Sequence, residues 1–136
     1  MEFNIRPLNE TDYDTILEGW WRDWGWEPPK KDFLPDDGKG GIIVLDGDEP
    51  ICAGFIYKTN SKASWINWII SNKSYRKKPQ RKEAMKLLLS NLVEECKKNG
   101  SKYIFSNNNN NNLIEYFLND GFLKGCTNST ELIKMI

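Results

Sequence analysis

The stretch from Trp65 to Lys98 constrains this chain most, because it reads as a strand, a basic loop and a helix in direct succession. Trp65 to Ile70 is dense in aromatic and β-branched residues, as a strand interior is. Ser71 to Lys82 holds no apolar residue except Tyr75 and Pro79. Arg76, Lys77, Lys78, Arg81 and Lys82 set five positive charges into seven positions. Met85, Leu88, Leu89, Leu92 and Cys96 then recur at helical spacing and form one face, with Glu83, Lys86, Ser90, Glu94 and Lys97 on the other. Gly100 is placed to close the helix as a left-handed cap.

A buried strand that feeds a positive loop at a helix start is an anion site in outline. The first helical amides have no intrahelical partner, and the helix dipole favours negative charge there. A phosphate or pyrophosphate suits such a loop. A solvated basic surface that balances nearby acids is the alternative, and the charges alone leave both open.

Around this unit the chain reads in order as strand, helix, three-strand meander, helix, strand, helix, strands. Phe3 and Ile5 alternate with Asn4 and Arg6 up to Pro7. Asn9 can cap a helix in which Tyr13, Ile16, Leu17, Trp20, Trp21 and Trp24 follow the i, i+3, i+4 pattern, ended by Gly25 and Pro28. Residues 26–41 are polar and read as a loop. Ile42 to Leu45 and Ile51 to Tyr57 form a hairpin about Asp46, Gly47 and Asp48, with Gly54 marking a bulge or a close approach. After Gly100, Lys102 to Phe105 is a strand, and Asn107 to Asn112 is a loop that caps a short helix carrying Leu113, Ile114, Phe117 and Leu118. Phe122 opens a further strand, and Thr130 to Ile136 is the last. A meander with crossover helices predicts an α/β or α+β domain on a central mixed sheet, a single domain over residues 1–136.

At Ile70, Ser71, Asn72, Lys73, Ser74, Tyr75 and Arg76, followed by Ala84, Leu87 and Leu88, the sequence resembles motif A of the GCN5-related N-acetyltransferases (GNAT). The element order extends the resemblance over nearly the whole chain. It implies a sheet whose central strand pair splays apart, and acetyl-coenzyme A held in the gap. Main chain about Ile69, Ile70 and Ser71 would hold the thioester arm. Arg76, Lys77, Lys78, Arg81 and Lys82, the helix start near Glu83 and Ala84, and Asn110 would meet the cofactor. The family's two loop glycines fall by direct count on Pro79 and Arg81; a longer loop would put Ala84 in the last small position. Asn110, Gly121 and Phe122 match the family's late helix, while Leu113 replaces its alanine and Phe117 stands where it has a tyrosine acid. Tyr116 is adjacent, about 100° round a helix.

Acetyl transfer to an amine requires a held thioester, a deprotonated amine and, usefully, an acid for the leaving thiolate. The chain has no histidine, which removes the commonest base and metal ligand, and no metal site is expected. Glu27, Asp23, Glu49 and Asp37 are candidate bases, and nothing selects among them. Cys52 and Cys126 have no evident activator and read as packing residues. Trp24 and Trp26 are candidates for an acceptor pocket, since aromatic faces suit an ammonium; core packing is the alternative for Trp20 and Trp24.

Lys plus Arg number 19 and Asp plus Glu 19, so no whole-chain argument for nucleic acid or membrane binding exists. No apolar run approaches the ~20 residues of a spanning helix. Three cysteines without paired spacing, and no signal peptide, point to a cytoplasmic protein. The expected function is N-acetyl transfer from acetyl-coenzyme A to an amine of a small molecule or peptide. The alternatives are a catalytically weak protein of the same fold that binds an acyl-coenzyme A, and an interaction module using the basic loop. A homodimer is compatible with each.

Overall fold

The computed structural model describes residues 2–136. Five strands form one sheet in the order β1 (Phe3–Pro7), β2 (Gly41–Asp46), β3 (Glu49–Lys58), β4 (Ala63–Ser71) and β5 (Tyr103–Phe105). β1 to β4 pair antiparallel, and β5 joins β4 in parallel after the crossover helix α2 (Pro79–Lys98). A π-helical stretch at Tyr13–Leu17 runs into α1 (Glu18–Asp23), and α3 (Asn111–Asn119) follows β5. The mixed sheet with flanking helices is the expected architecture.

Both faces of the sheet are covered. Val44, Ile56 and Ile66 pack with Met85, Leu88, Leu92 and Phe117 on the α2–α3 side. Ile43, Phe55 and Ile70 pack with Leu17, Trp20 and Trp21 on the α1 side. Gly54 serves both readings made for it. The β3–β4 register shifts between Ala53 and Phe55, and a Cβ on Gly54 would lie 2.9 Å from Leu92 Cδ1. The missing side chain lets α2 press onto the sheet.

The first helix is fixed at its start by a reciprocal pair. Asn9 Oδ1 accepts from the Thr11 amide at 3.0 Å, and Asp12 Oδ2 accepts from the Asn9 amide at 2.8 Å. Arg6 closes the buried Asp12 carboxylate with two donors, at 2.7 and 3.0 Å. Residues 26–41 fold into 3₁₀ turns at Lys31–Phe33 and Pro35–Gly38, with Asp36 and Asp37 both left-handed.

Two expectations fail. The helix expected to begin near Ala84 begins at Pro79, because proline at the first helical position costs no hydrogen bond. Arg81, Lys82 and Glu83 are thus helical, and Ala84 is fully buried against the sheet and faces no loop. The strands expected at Phe122 and Thr130–Ile136 do not form. Phe122 instead packs edge-on to Phe117, ring centroids 4.9 Å apart, and residues 123–136 lie in no element. Strand composition alone does not make a strand; a partner backbone must be present, and β5 is not paired by this segment.

Candidate functional site

Pairing between β4 and β5 covers only Ala63–Tyr103, Ser64–Ile104 and Trp65–Phe105. β4 runs on to Ser71, whereas β5 stops at Phe105. At the mouth of the resulting wedge, Ser106 Oγ donates to the Ile66 carbonyl at 2.6 Å, and the Asn107 amide donates to Asn67 Oδ1 at 3.1 Å. Beyond these bonds, the β5-facing main chain of residues 68–71 has no strand partner.

A bulge shapes this free edge. Ala53 pairs with Ile70 and Phe55 with Asn67, so one residue of β3 opposes two of β4, and Trp68 takes φ 60°. A tryptophan in the left-handed region is a strained choice, held here by aromatic contacts. The Trp68 ring meets Trp21 at 6.4 Å and Phe33 at 5.8 Å, edge-on in both cases. Tyr57 Oη donates to the Phe33 carbonyl at 2.9 Å and fixes that loop. Sequence reasoning missed Trp68 and Phe33. The signal was present in the broken alternation after Ile66, where Ile69 and Ile70 are adjacent and both apolar.

The basic segment turns directly off the end of β4. Asn72 caps a 3₁₀ turn at Lys73–Tyr75, its Oδ1 accepting from the Ser74 amide at 3.0 Å. Arg76, Lys77, Lys78 and Lys82 are exposed. Lys78 Nζ lies 4.4 Å from the centre of the Tyr75 ring. Arg81 is different, because its Nε donates to the buried Ser71 Oγ at 3.4 Å, which turns the guanidinium towards the strand end. Gln80, at the second helical position, has a buried Oε1 with no partner, another residue the sequence did not flag. The amides of Arg76, Lys78 and Arg81 are already given to the carbonyls of Lys73, Tyr75 and Lys78. Pro79 offers none.

No family model and no curated protein matches the sequence. Solved structures do match. An acetyltransferase of the GNAT family from Staphylococcus aureus is 17% identical over 98% of this chain and 100% of its own, with TM-score 0.59. The ribosomal-protein-S18-alanine N-acetyltransferase of Escherichia coli is 15% identical over 92% and 80% of the two chains, with TM-score 0.71. N-acetylglutamate synthase from Neisseria gonorrhoeae, solved with coenzyme A and N-acetyl-glutamate, is 13% identical over 93% of this chain and 29% of its own, with TM-score 0.71. The chain has the GCN5-related N-acetyltransferase fold.

Against that GNAT fold the remaining expected residues can be located. Tyr116 lines a cleft of about 490 Å³ between α2 and α3, together with Glu83, Lys86 and Asp120. Burial raises the Asp120 carboxyl above its ordinary value, with Lys97 opposing. Phe117 is buried in the core. Asn110 uses its Oδ1 to accept from the Leu113 amide at 3.1 Å, so it caps α3. Trp24 is half-buried and stacks on the exposed Trp26, centroids 5.8 Å apart. Its indole is tied to β4, whereas Trp20 is core. Asp23, Glu27, Asp37 and Glu49 are all exposed. Burial pushes the Cys52 thiol up to about 12, so it stays protonated and unreactive. Cys126 is exposed, which corrects the expectation that it packs.

Proposed function

We propose that the chain, acting as a single domain over residues 1–136, transfers an acetyl group from acetyl-coenzyme A to an amine of a small molecule or peptide. The observation that carries this reading is the wedge between β4 and β5, open at the bulge and adjacent to the basic start of α2. A free strand edge has main-chain donors and acceptors that need partners. An extended, amide-bearing arm supplies them in the manner of an added strand. The positive charges at 76–78 and 81–82 suit the anionic end of such a ligand. Ile69, Ile70 and Ser71 contribute main chain, and Asn110 the mouth of the next helix.

When bound, the cofactor supplies an activated acyl group and a thiol leaving group. The chain's own part is to align the amine and strip its proton. No histidine exists to take that proton, so an exposed carboxylate or a water chain does so. The exposed rings of Phe33, Trp68 and Trp26, with the half-buried Trp24, border the acceptor in this reading and favour an amine with an apolar or cationic body. A cytoplasmic location belongs to the same reading, since all three thiols are free.

One observation favours a second reading, a protein of this fold that binds an acyl-coenzyme A with little turnover. Phe117 is a buried ring with no hydroxyl, and Tyr116 faces the α2–α3 cleft. Thermal shift with coenzyme A, acetyl-coenzyme A and an oligonucleotide, followed by a steady-state assay over a panel of amines, separates the readings. A ligand at a hundred times its Kd adds about 2.7 kcal/mol to native stability. Stabilisation by acetyl-coenzyme A with turnover supports the proposal. Stabilisation without turnover on any amine supports the second reading, and stabilisation by the oligonucleotide alone defeats both.

A further inference from the structure

The exposed aromatic surface does not stop at the rings beside the acceptor. Phe33 meets Trp68 edge-on at 5.8 Å, and the Phe33 carbonyl accepts from Tyr57 Oη at 2.9 Å. Tyr57 stands directly opposite Trp65 in the β3–β4 register, and Trp65 stacks on Phe105 with centroids 4.6 Å apart. Tyr103, two residues before Phe105, projects from the same face of β5. Six rings thus form one band on the α1 side of the sheet, from the bulge to the edge strand. Phe33, Trp68, Phe105 and Tyr103 are 48%, 37%, 51% and 64% exposed. A contiguous exposed apolar patch of this kind marks a contact surface.

Two properties of the band select its occupant. The first is length. Trp68 lies three residues beyond Trp65 on β4, roughly 10 Å, and Tyr57 and Tyr103 lie two strand spacings apart, again roughly 10 Å. The diagonal of ~14 Å outreaches a small amine lodged at Trp68 and suits about four or five residues of extended polypeptide. The second is charge. The cation–ring contacts of the described residues fall on Tyr13, Trp24 and Tyr75, none of them in the band. Its polar neighbours are amides: Asn107 Oδ1 accepts from Trp65 Nε1 at 3.1 Å, and Asn67 Oδ1 accepts from the Asn107 amide at 3.1 Å. A single-stranded nucleic acid calls for rings combined with a positive groove for its phosphates. Rings without that charge favour proline and aliphatic side chains, as aromatic-lined peptide grooves do.

We propose that the band seats an extended polypeptide rich in proline and aliphatic residues, so that the acceptor amine is carried on a polypeptide and not on a free small molecule. The fate of the amine rests on the acetyl-transfer reading above, whereas the seat rests on the six rings alone.

Fluorescence anisotropy with two peptides of about eight residues tests it, a length that covers the band and leaves the amine free to reach the wedge. One has a body of alternating proline and leucine, the other a body of serine and asparagine, and both carry a free N-terminal amine and a C-terminal label. The parent chain is compared with the double variant Tyr103→Thr, Phe105→Thr, in which threonine keeps the strand preference of β5 and circular dichroism checks the fold. Thermal shift with acetyl-coenzyme A and mass-spectrometric detection of acetylated product are read on the same samples. The expected result is that the proline–leucine peptide binds at least about tenfold tighter than the other, and that the variant reduces this preference below about threefold. The parent should also acetylate that peptide with a higher kcat/KM than alaninamide. Equal binding of the two peptides, a preference that survives the double variant, or faster transfer to alaninamide overturns the proposal. So does band-dependent binding of an oligothymidylate or of phosphatidylcholine vesicles in place of the peptide. A band-dependent peptide preference with neither stabilisation by acetyl-coenzyme A nor acetylated product instead overturns the acetyl-transfer reading and leaves the polypeptide seat standing.

Discussion

The indole Nε1 of Trp24 donates to the main-chain carbonyl of Ser71 at 2.8 Å, joining the end of α1 to the last residue of β4. Lys73, two residues further on, lies 5.6 Å from the centre of the same ring, and its Nζ donates to the Asp23 carbonyl at 3.1 Å. The strand end and the helix end are thus one tethered unit. Trp24→Phe keeps an aromatic ring and deletes the donor. We expect it to lower the unfolding free energy by about 0.5–1.5 kcal/mol. Urea denaturation checks this, with an unchanged m-value showing that compactness is retained.

The charges of the basic segment should separate by position. Arg76 is exposed and acts at long range, whereas Arg81 is held against Ser71 Oγ. Arg76→Ala should weaken coenzyme A binding a few-fold and flatten its salt dependence. Arg81→Ala should cost roughly 1.5–3 kcal/mol of binding, the range for a charged hydrogen bond. Calorimetric titration at two salt concentrations measures both, and unchanged affinity in the double variant would reduce the segment to a solvated surface.

Phe117 and Tyr116 make a second contrast. Phe117 is buried in the apolar core and packs on Phe122, so Phe117→Tyr would bring a hydroxyl into that core. That substitution should cost ~1–3 kcal/mol of stability and give no gain in turnover. Tyr116→Phe should leave kcat within about threefold, because its hydroxyl faces the α2–α3 cleft. A loss of ~10²-fold or more would instead identify Tyr116 as the acid.

Acid should expose the Arg6–Asp12 pair. Burial alone would raise the Asp12 carboxyl; the Arg6 hydrogen bonds and the Asn9 amide outweigh it and hold the pKa below its ordinary value of 3.8. A depressed carboxyl contributes stability that is complete above the unfolded value and is lost as pH falls through the folded one. Asp12→Asn should therefore be less stable than the parent at pH 7, by ~1–3 kcal/mol, with the gap closing below pH ~4. Thermal melts across that range read the difference, and a gap independent of pH would assign the effect to packing.

Much of the architecture could be read from residue patterns, because it depends on local periodicity. The stripe from Tyr13 to Trp24, the Asp46–Asp48 turn and the α2 face all lie where spacing put them. Three features could not be read that way. The start of α2 was displaced by charge, since a run of Lys and Arg looks like loop while Pro79 marks the first helical turn. The aromatic group around Trp68 joins residues from three separated stretches, and only the fold brings Trp21, Phe33 and Trp68 together. The tail has strand composition but pairs with no strand among the described residues, which no local pattern can reveal. Of the site residues, Arg81 and Ser71 meet, whereas Ala84 and Asn110 are committed to the core and to a helix cap.

The bulge at Trp68 also inverts parity along β4. Before it, even-numbered Ile66 faces the α2 layer; after it, even-numbered Ile70 faces α1, and odd-numbered Ile69 takes the α2 side. The two halves of one strand are therefore written in opposite phase, with a single surplus residue as the only junction. Losing that residue would rotate Ile69, Ile70 and Ser71 by half a turn, burying what should face the wedge and exposing what should be core. Point substitutions can wander through this strand, but its length cannot. Among descendants of this sequence, insertions and deletions should accumulate in residues 26–41 and in the asparagine run, and be absent between Ile66 and Ser71.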